Sequence, residues 1–115
     1  MSECVFCQIA SGATKANILY SDEHVVAFED ISPQAPTHLL FIPRDHVEKV
    51  ADLTSEKREQ LISRIFEAIS KIIAKRGLGS SGYRIVLNQG KDAGQVVPHL
   101  HFHLFSGRVF SWPPG

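Results

Sequence analysis

The stretch from Pro98 to Phe105, PHLHFHLF, places histidine at positions 99, 101 and 103 with Leu100, Phe102 and Leu104 in the alternate places. Side chains on a β-strand point alternately to opposite faces, so this spacing sends the three imidazoles to one side and the three apolar groups to the other. On a helix the same histidines would step by about 200° and scatter around the axis. The stretch therefore reads as a strand, with its apolar side on a core and a row of imidazoles on its other side. A lone histidine in a strand is ordinary packing, but three in register are not explained by packing, and that face is read as chemical.

The segments around this strand predict its setting. YRIVLNQG, from Tyr83, reads as a neighbouring strand, and ILYSDEHVVAFED, from Ile18, as a hairpin around the turn-prone pair Ser21 and Asp22. ISPQAP, from Ile31, carries two prolines that exclude regular structure and mark a rigid loop, after which THLLFIP resumes as a buried strand stopped by Pro43. Between these lies one long helix: Thr54 or Ser55 caps it, acids follow in its first turns, and Lys75, Arg76 and Gly77 close it. Leu61, Ile65, Ala68, Ile69, Ile72 and Ile73 recur at steps of three and four, and Ile62 and Phe66 widen that stripe, so the helix packs one broad face. Strands, one long helix, then strands predict an α+β domain with a mainly antiparallel sheet.

At 115 residues, 43% of them hydrophobic, the chain is expected to form one domain, residues 1–115, with a modest core. Lysine plus arginine equals aspartate plus glutamate at 12 each, with no basic block interleaved with aromatics, so nucleic acid and anionic membranes are not expected partners. A small polar ligand in a local pocket fits better. No apolar run approaches the roughly 20 residues of a membrane span, and MSECVFCQIA lacks the features of a secretory signal. The expected location is cytoplasmic, where Cys4 and Cys7, at CxxC spacing, are metal ligands or a redox pair rather than a structural disulfide.

Geometry alone leaves the chemistry of the histidine row open. Imidazole titrates near neutrality, attacks as a nucleophile when neutral and binds metals through either nitrogen. A metal site on HxH spacing, covalent catalysis by the central imidazole, and a nucleotide-binding protein whose histidines only bind are three competing readings.

HLHFHLF resembles the signature of the histidine triad, or HIT, family of nucleotide hydrolases and transferases. CVFCQIASG, VVAFEDISPQAPTHLLFIPRDH, YRIVLNQGKDAGQ and the final WPPG are similar, in order and spacing, to the Hint branch of that family, the purine nucleoside phosphoramidases. The likeness extends over nearly the whole chain. It implies a HIT fold, a five-stranded antiparallel sheet with one long helix and a short N-terminal helix, paired as a homodimer with a sheet continuous across the subunits.

The resemblance also implies roles. His101 is the nucleophile that forms a covalent nucleotidyl-histidine. His103 and His38 contact the phosphate, His99 orients His101, and Asn88 helps position the phosphate, although a strand-end turn would place an asparagine there as well. Asp30 accepts hydrogen bonds from the ribose hydroxyls, against its alternative as a turn residue before Pro33. Ile31, with Phe6, Ile9 and Leu40, lines a purine slot, and the last three read equally as core. The backbone amides of Gly94, Gln95 and Val96 cradle the phosphate. The relatives commonly carry serine after the glutamine of this loop to assist the leaving group; Val96 here cannot, so a proton must come from a histidine or from water. The uridylyltransferase branch carries glutamine at the third triad position, and His103 argues for hydrolysis instead.

Several relatives with the N-terminal CxxC bind a structural zinc through ligands that map onto Cys4, Cys7, His46 and His99. Its alternative is two small cysteines in a metal-free core, and in neither case does catalysis need a metal. The expected reaction is hydrolysis of the P–N bond of AMP-amine or AMP-lysine substrates. The alternatives are a diadenosine polyphosphate hydrolase of the same fold and a nucleotide-binding regulatory protein. His24 has no assignment. Trp112, stiffened by Pro113 and Pro114, needs a surface to cover it, and the resemblance implies a place near the partner's active site rather than on its own subunit.

Overall fold

The computed structural model describes residues 3–115. Five antiparallel strands form one sheet in the order β1, β2, β3, β5, β4, with β1 at Ile18–Ser21, β2 at Val25–Glu29, β3 at Thr37–Pro43, β4 at Tyr83–Leu87 and β5 at Phe102–Ser106. A short helix, α1 (Val5–Ser11), precedes the sheet, and a long one, α2 (Ser55–Arg76), links β3 to β4. This is the α+β arrangement the sequence predicts. No helix among the described residues is long and apolar enough to cross a membrane.

The long helix begins and ends where its sequence directs. Thr54 accepts a hydrogen bond from the Lys57 amide through its hydroxyl, and Gly77 takes the left-handed conformation (φ 64°) that turns the chain out of the last turn. Ile65, Ala68, Ile69 and Ile72 are buried against Val25, Ala27, Leu39, Phe41, Leu100, Phe102 and Leu104 on one face of the sheet. Phe66 lies at the margin of that stripe, half-exposed, with its ring edge on Phe102. On the opposite face α1 packs Phe6 and Ile9 onto Val26, Phe28, Leu40 and Ile42.

The histidine stretch departs from its prediction in one respect. Regular strand begins at Phe102, so only His103 of the three histidines lies in the ladder. In the β3–β5 register Phe41 faces Phe102, and continuing it would set Leu100 opposite Pro43, which has no N–H to donate. Residues 98–101 instead approach the sheet through a tight turn, in which the His99 amide donates to the Val97 carbonyl, and through a bond from the Leu100 amide to the Val47 carbonyl. Alternation of faces still survives: Leu100, Phe102 and Leu104 all sit in the core under α2.

Candidate functional site

The sheet face away from α2 gathers the histidines. Leu40 of β3 and Val86 of β4 flank His103 of β5 in register, and His38 of β3 stands opposite Phe105. His101 lies 5.1 Å from His103 between ring centres, and the Phe6 ring abuts both His101 (5.1 Å) and His99 (5.9 Å) edge-on. Phe6, Ile9 and Leu40, candidates for a purine slot, are core residues that form the floor beneath this row.

Hydrogen bonds to backbone groups fix which nitrogen of each ring carries the proton, because a backbone N–H only donates and a carbonyl only accepts. His101 donates from Nδ1 to the His99 carbonyl at 2.7 Å, which leaves a lone pair on Nε2. His38 is held the other way: the Gln34 amide donates to its Nδ1 at 3.1 Å, so the proton sits on Nε2. That Nε2–H donates to His103 Nδ1 at 2.9 Å, and the His103 proton is thereby left on Nε2. His99 donates from Nε2 to the Pro43 carbonyl at 2.9 Å, and its Nδ1 keeps a lone pair.

The row therefore divides into two groups with different chemistry. His99 Nδ1 faces Cys4 Sγ at 3.4 Å and Cys7 Sγ at 3.5 Å, and His46 Nδ1 lies 3.3 Å from Cys7 Sγ. These four ligand atoms lie within 4.8 Å of one another. With metal–sulfur bonds of about 2.3 Å and metal–nitrogen bonds of about 2.05 Å, a tetrahedral site has sulfur–nitrogen edges of about 3.5 Å. Spacing and tautomer both suit a tetrahedral divalent ion such as zinc, and the Pro43 carbonyl is the outer partner that orients the His99 ring. A second group, Asp30, His38 and His103, also brings its ligand atoms within 4.8 Å. There the Gln34 amide forces a proton onto His38 Nε2, the nitrogen a metal would need, so this group handles protons and hydrogen bonds.

Burial disfavours the charged form of three of these rings, His38, His99 and His103. His103 is pushed down to about 4, first by burial, then by His101 and His38, with Asp30 opposing. Burial likewise lowers His38 against the pull of Asp30, and lowers His99 against its bond to Pro43. In the free protein His103 thus presents a neutral Nε2–H, while His38 spends its own N–H on His103.

The nucleotide-binding candidates fall on three segments. Asp30 takes the turn role weighed for it, its Oδ1 accepting from the Ser32 amide at 2.8 Å, while Oδ2 stands 3.5 Å from His38 Nε2. Ile31 beside it is 98% exposed. Asn88 follows the last pair of the β4–β5 ladder, Leu87 with Phe102, and is level with His101. In the loop after β4 the expectation of a phosphate cradle needs correction, because two of its three amides are engaged within the loop: Gly94 donates to the Lys91 carbonyl and Gln95 to the Gly90 carbonyl. The Gln95 side chain is a brace, accepting from the Gly90 amide at 2.8 Å and donating to the carbonyls of Glu48 and Val97. Val96 at the loop's tip is 89% exposed. Trp112 is 83% exposed, so it does not pack on its own chain.

Sequence reasoning missed the Gln34 amide and the carbonyls of Pro43 and His99. Main-chain groups carry no residue signature, and only the proline-rich loop before His38 marked the place. His99 acts on His101 through its carbonyl, not its ring, which turns toward the cysteines.

A family model described as the HIT domain matches residues 11–110. The purine nucleoside phosphoramidase of Escherichia coli K12 is 41% identical over 106 residues, which span 92% of this chain and 88% of that protein. A HIT family hydrolase from Legionella pneumophila superposes with a TM-score of 0.94 at 42% identity, covering 98% of this chain and all of that one. A histidine triad protein from Clostridium difficile superposes with a TM-score of 0.91 at 36% identity, covering 96% of each.

Proposed function

The chain belongs to the HIT domain family, and from that premise we propose that it is a nucleotide hydrolase, specifically a purine nucleoside phosphoramidase that works through a covalent nucleotidyl-histidine. The observation that carries this reading is the tautomer of His101: its Nδ1–H is held by the His99 carbonyl, and its Nε2 lone pair is kept for attack.

In the first half-reaction His101 Nε2 attacks phosphorus and forms a new N–P bond while the substrate's P–N bond breaks. The amine departs with the bonding pair and takes up a proton. Attack makes the His101 ring cationic, and the bond from Nδ1–H to the His99 carbonyl stabilises that charge as it develops. His103, its Nδ1 occupied by His38, directs Nε2–H toward the phosphoryl oxygens. With Val96 in place of a hydroxyl-bearing residue at an exposed loop tip, the leaving nitrogen takes its proton from water. In the second half-reaction water attacks phosphorus and gives up a proton to the solvent, replacing the one the leaving amine took, while the His101–phosphorus bonding pair returns to Nε2, AMP leaves and the neutral imidazole is restored.

Asp30 Oδ2 accepts from the ribose hydroxyls, and the exposed Ile31 side chain gives the purine an apolar wall. Asn88 and the amide of Val96 contact the phosphate. Zinc is held by Cys4, Cys7, His46 and His99; when bound it supplies a fold-stabilising crosslink and takes no part in the reaction. It ties α1 to the segment whose carbonyl orients His101. We place the protein in the cytoplasm, where such thiol ligands stay reduced. The assembly is a homodimer: β4 is an edge strand with main-chain groups open to pairing, and the exposed Trp112 gains cover from a second copy.

The test is hydrolysis of an AMP phosphoramidate by the wild type and by His101→Asn. Turnover by the wild type, lost in the variant with AMP binding retained, is the expected result. Cleavage of diadenosine polyphosphates in strong preference to the phosphoramidate would reassign the substrate within the same mechanism. Binding without any turnover would make the protein a nucleotide-binding regulator.

A further inference from the structure

The sheet face that carries the histidines continues past them. In register, Arg84 of β4 stands opposite Phe105 of β5, and Phe105 opposite His38 of β3, so these three side chains lie abreast on one face. With strands about 4.8 Å apart, the backbones of Arg84 and His38 are separated by about 10 Å. Beyond β5 the chain brings Phe110 back against this row, its ring 6.0 Å from that of Phe105. Two guanidinium groups rest on the Phe110 ring, Arg108 at 4.2 Å and Arg84 at 5.1 Å.

Both arginines are fastened by neutral groups. Arg84 donates to the Ser111 carbonyl at 2.9 Å, and Arg108 donates to the carbonyls of Gln34 at 2.8 Å and Val109 at 3.0 Å. The ion pairs among the described residues are those of His24 with Glu23 and His38 with Asp30, so neither guanidinium has a carboxylate partner. Two like charges beside one ring repel each other, and carbonyls and an aromatic face orient them without cancelling their charge. An anion arriving from outside would cancel it. Gln34 joins this pair to the catalytic row, because its carbonyl holds Arg108 and its amide holds His38.

Position across the sheet says which part of a substrate would reach it. Asp30 and Ile31 follow β2 on one side of the histidines, and Arg84 lies on β4 at the other side of β5. A nucleoside bound at Asp30 leaves the β4 side to the leaving group. We propose that Arg84, Arg108 and Phe110 form a subsite for an anionic group, carboxylate or phosphate, on the leaving group. The proposal rests on the phosphoramidase reading and names the substrate class within it.

The test compares two AMP phosphoramidates whose leaving amines differ only in ending as a carboxylate or as its carboxamide, with diadenosine triphosphate as a third arm whose leaving group, ADP, presents phosphates in place of a carboxylate. The expected result is a kcat/KM about tenfold higher for the carboxylate, the size of one charge-assisted hydrogen bond. Arg84→Gln and Arg108→Gln should each remove that preference while leaving carboxamide turnover within about twofold, and Arg84→Lys should restore part of it. Loss confined to the triphosphate arm would identify phosphate as the anion. Equal kcat/KM across the pair, with no effect of either variant on any arm, overturns the proposal, as does a change of oligomeric state without a change of preference. Failure to turn over any phosphoramidate refutes the phosphoramidase reading instead; the subsite is then judged by calorimetric titration with pyrophosphate, whose affinity must fall about tenfold in the double variant.

Discussion

Acidification should unfold this protein through His103 in a way that one substitution can isolate. In the unfolded chain this imidazole takes up a proton near 6.5, whereas in the fold it stays neutral down to about 4. Between those values the unfolded chain binds the extra proton, so stability that is complete above the unfolded value is lost as pH falls toward the folded one. Linkage over that window makes His103 responsible for a loss of about 2 kcal/mol between pH 7.5 and pH 5, reaching about 3 kcal/mol near pH 4. His38 and His99, lowered for the same reason, add losses of the same sign. His103→Gln keeps an acceptor for the His38 N–H and cannot titrate. Urea unfolding at pH 7.5 and pH 5 should therefore show a fall in stability about 2 kcal/mol smaller in the variant, or roughly 8 °C in melting temperature. Comparing two proteins with the same CxxC segment cancels acid release of a bound metal. An identical pH slope in both would refute the claim that burial holds His103 neutral.

Metal analysis should find about one zinc per chain, and Cys4→Ser should lose it with a lower melting temperature and residual activity; metal-free protein with unchanged melting would remove the assignment. Gly107→Ala should destabilise the fold by about 1–3 kcal/mol, measured by denaturant titration, because Gly107 sits at φ 97° and an added Cβ would meet Pro36 Cβ at 2.8 Å. A smaller loss than that of an ordinary surface substitution would mean the loop before His38 gives way without cost. Deleting residues 112–115 should change selectivity among bulky amine leaving groups more than AMP binding, and an equal effect on every substrate would make the tail ordinary packing.

What the sequence made legible follows the periodicity of its elements. The steps of three and four from Leu61 to Ile73 specify one face of α2, and the residues that alternate with the histidines enter the core. Thr54 and Gly77 bound the helix because their local chemistry, a hydroxyl acceptor and a left-handed turn, acts within a few residues. The strand boundary at Phe102 was hidden, since it depends on Pro43 of another strand lacking an N–H at the place where the ladder would continue. Cys4, Cys7, His46 and His99 were found as a set by resemblance, and CxxC spacing alone offers two of the four. Proton placement on the histidines was not legible, because three main-chain groups decide it: the Gln34 amide and the carbonyls of Pro43 and His99. Arg84 and Arg108 lie 24 residues apart in a chain of zero formal net charge, and only the return of Phe110 onto the sheet brings them together.

The central claim is that His101 Nε2 becomes covalently bonded to phosphorus, and rapid-quench intact-protein mass spectrometry during a single turnover of an AMP phosphoramidate tests it most directly. The account predicts a transient AMP adduct that maps to His101, is absent in His101→Asn, and decays at the rate at which free AMP appears. Turnover without an adduct, with His101→Asn retaining near-normal hydrolysis, would contradict it.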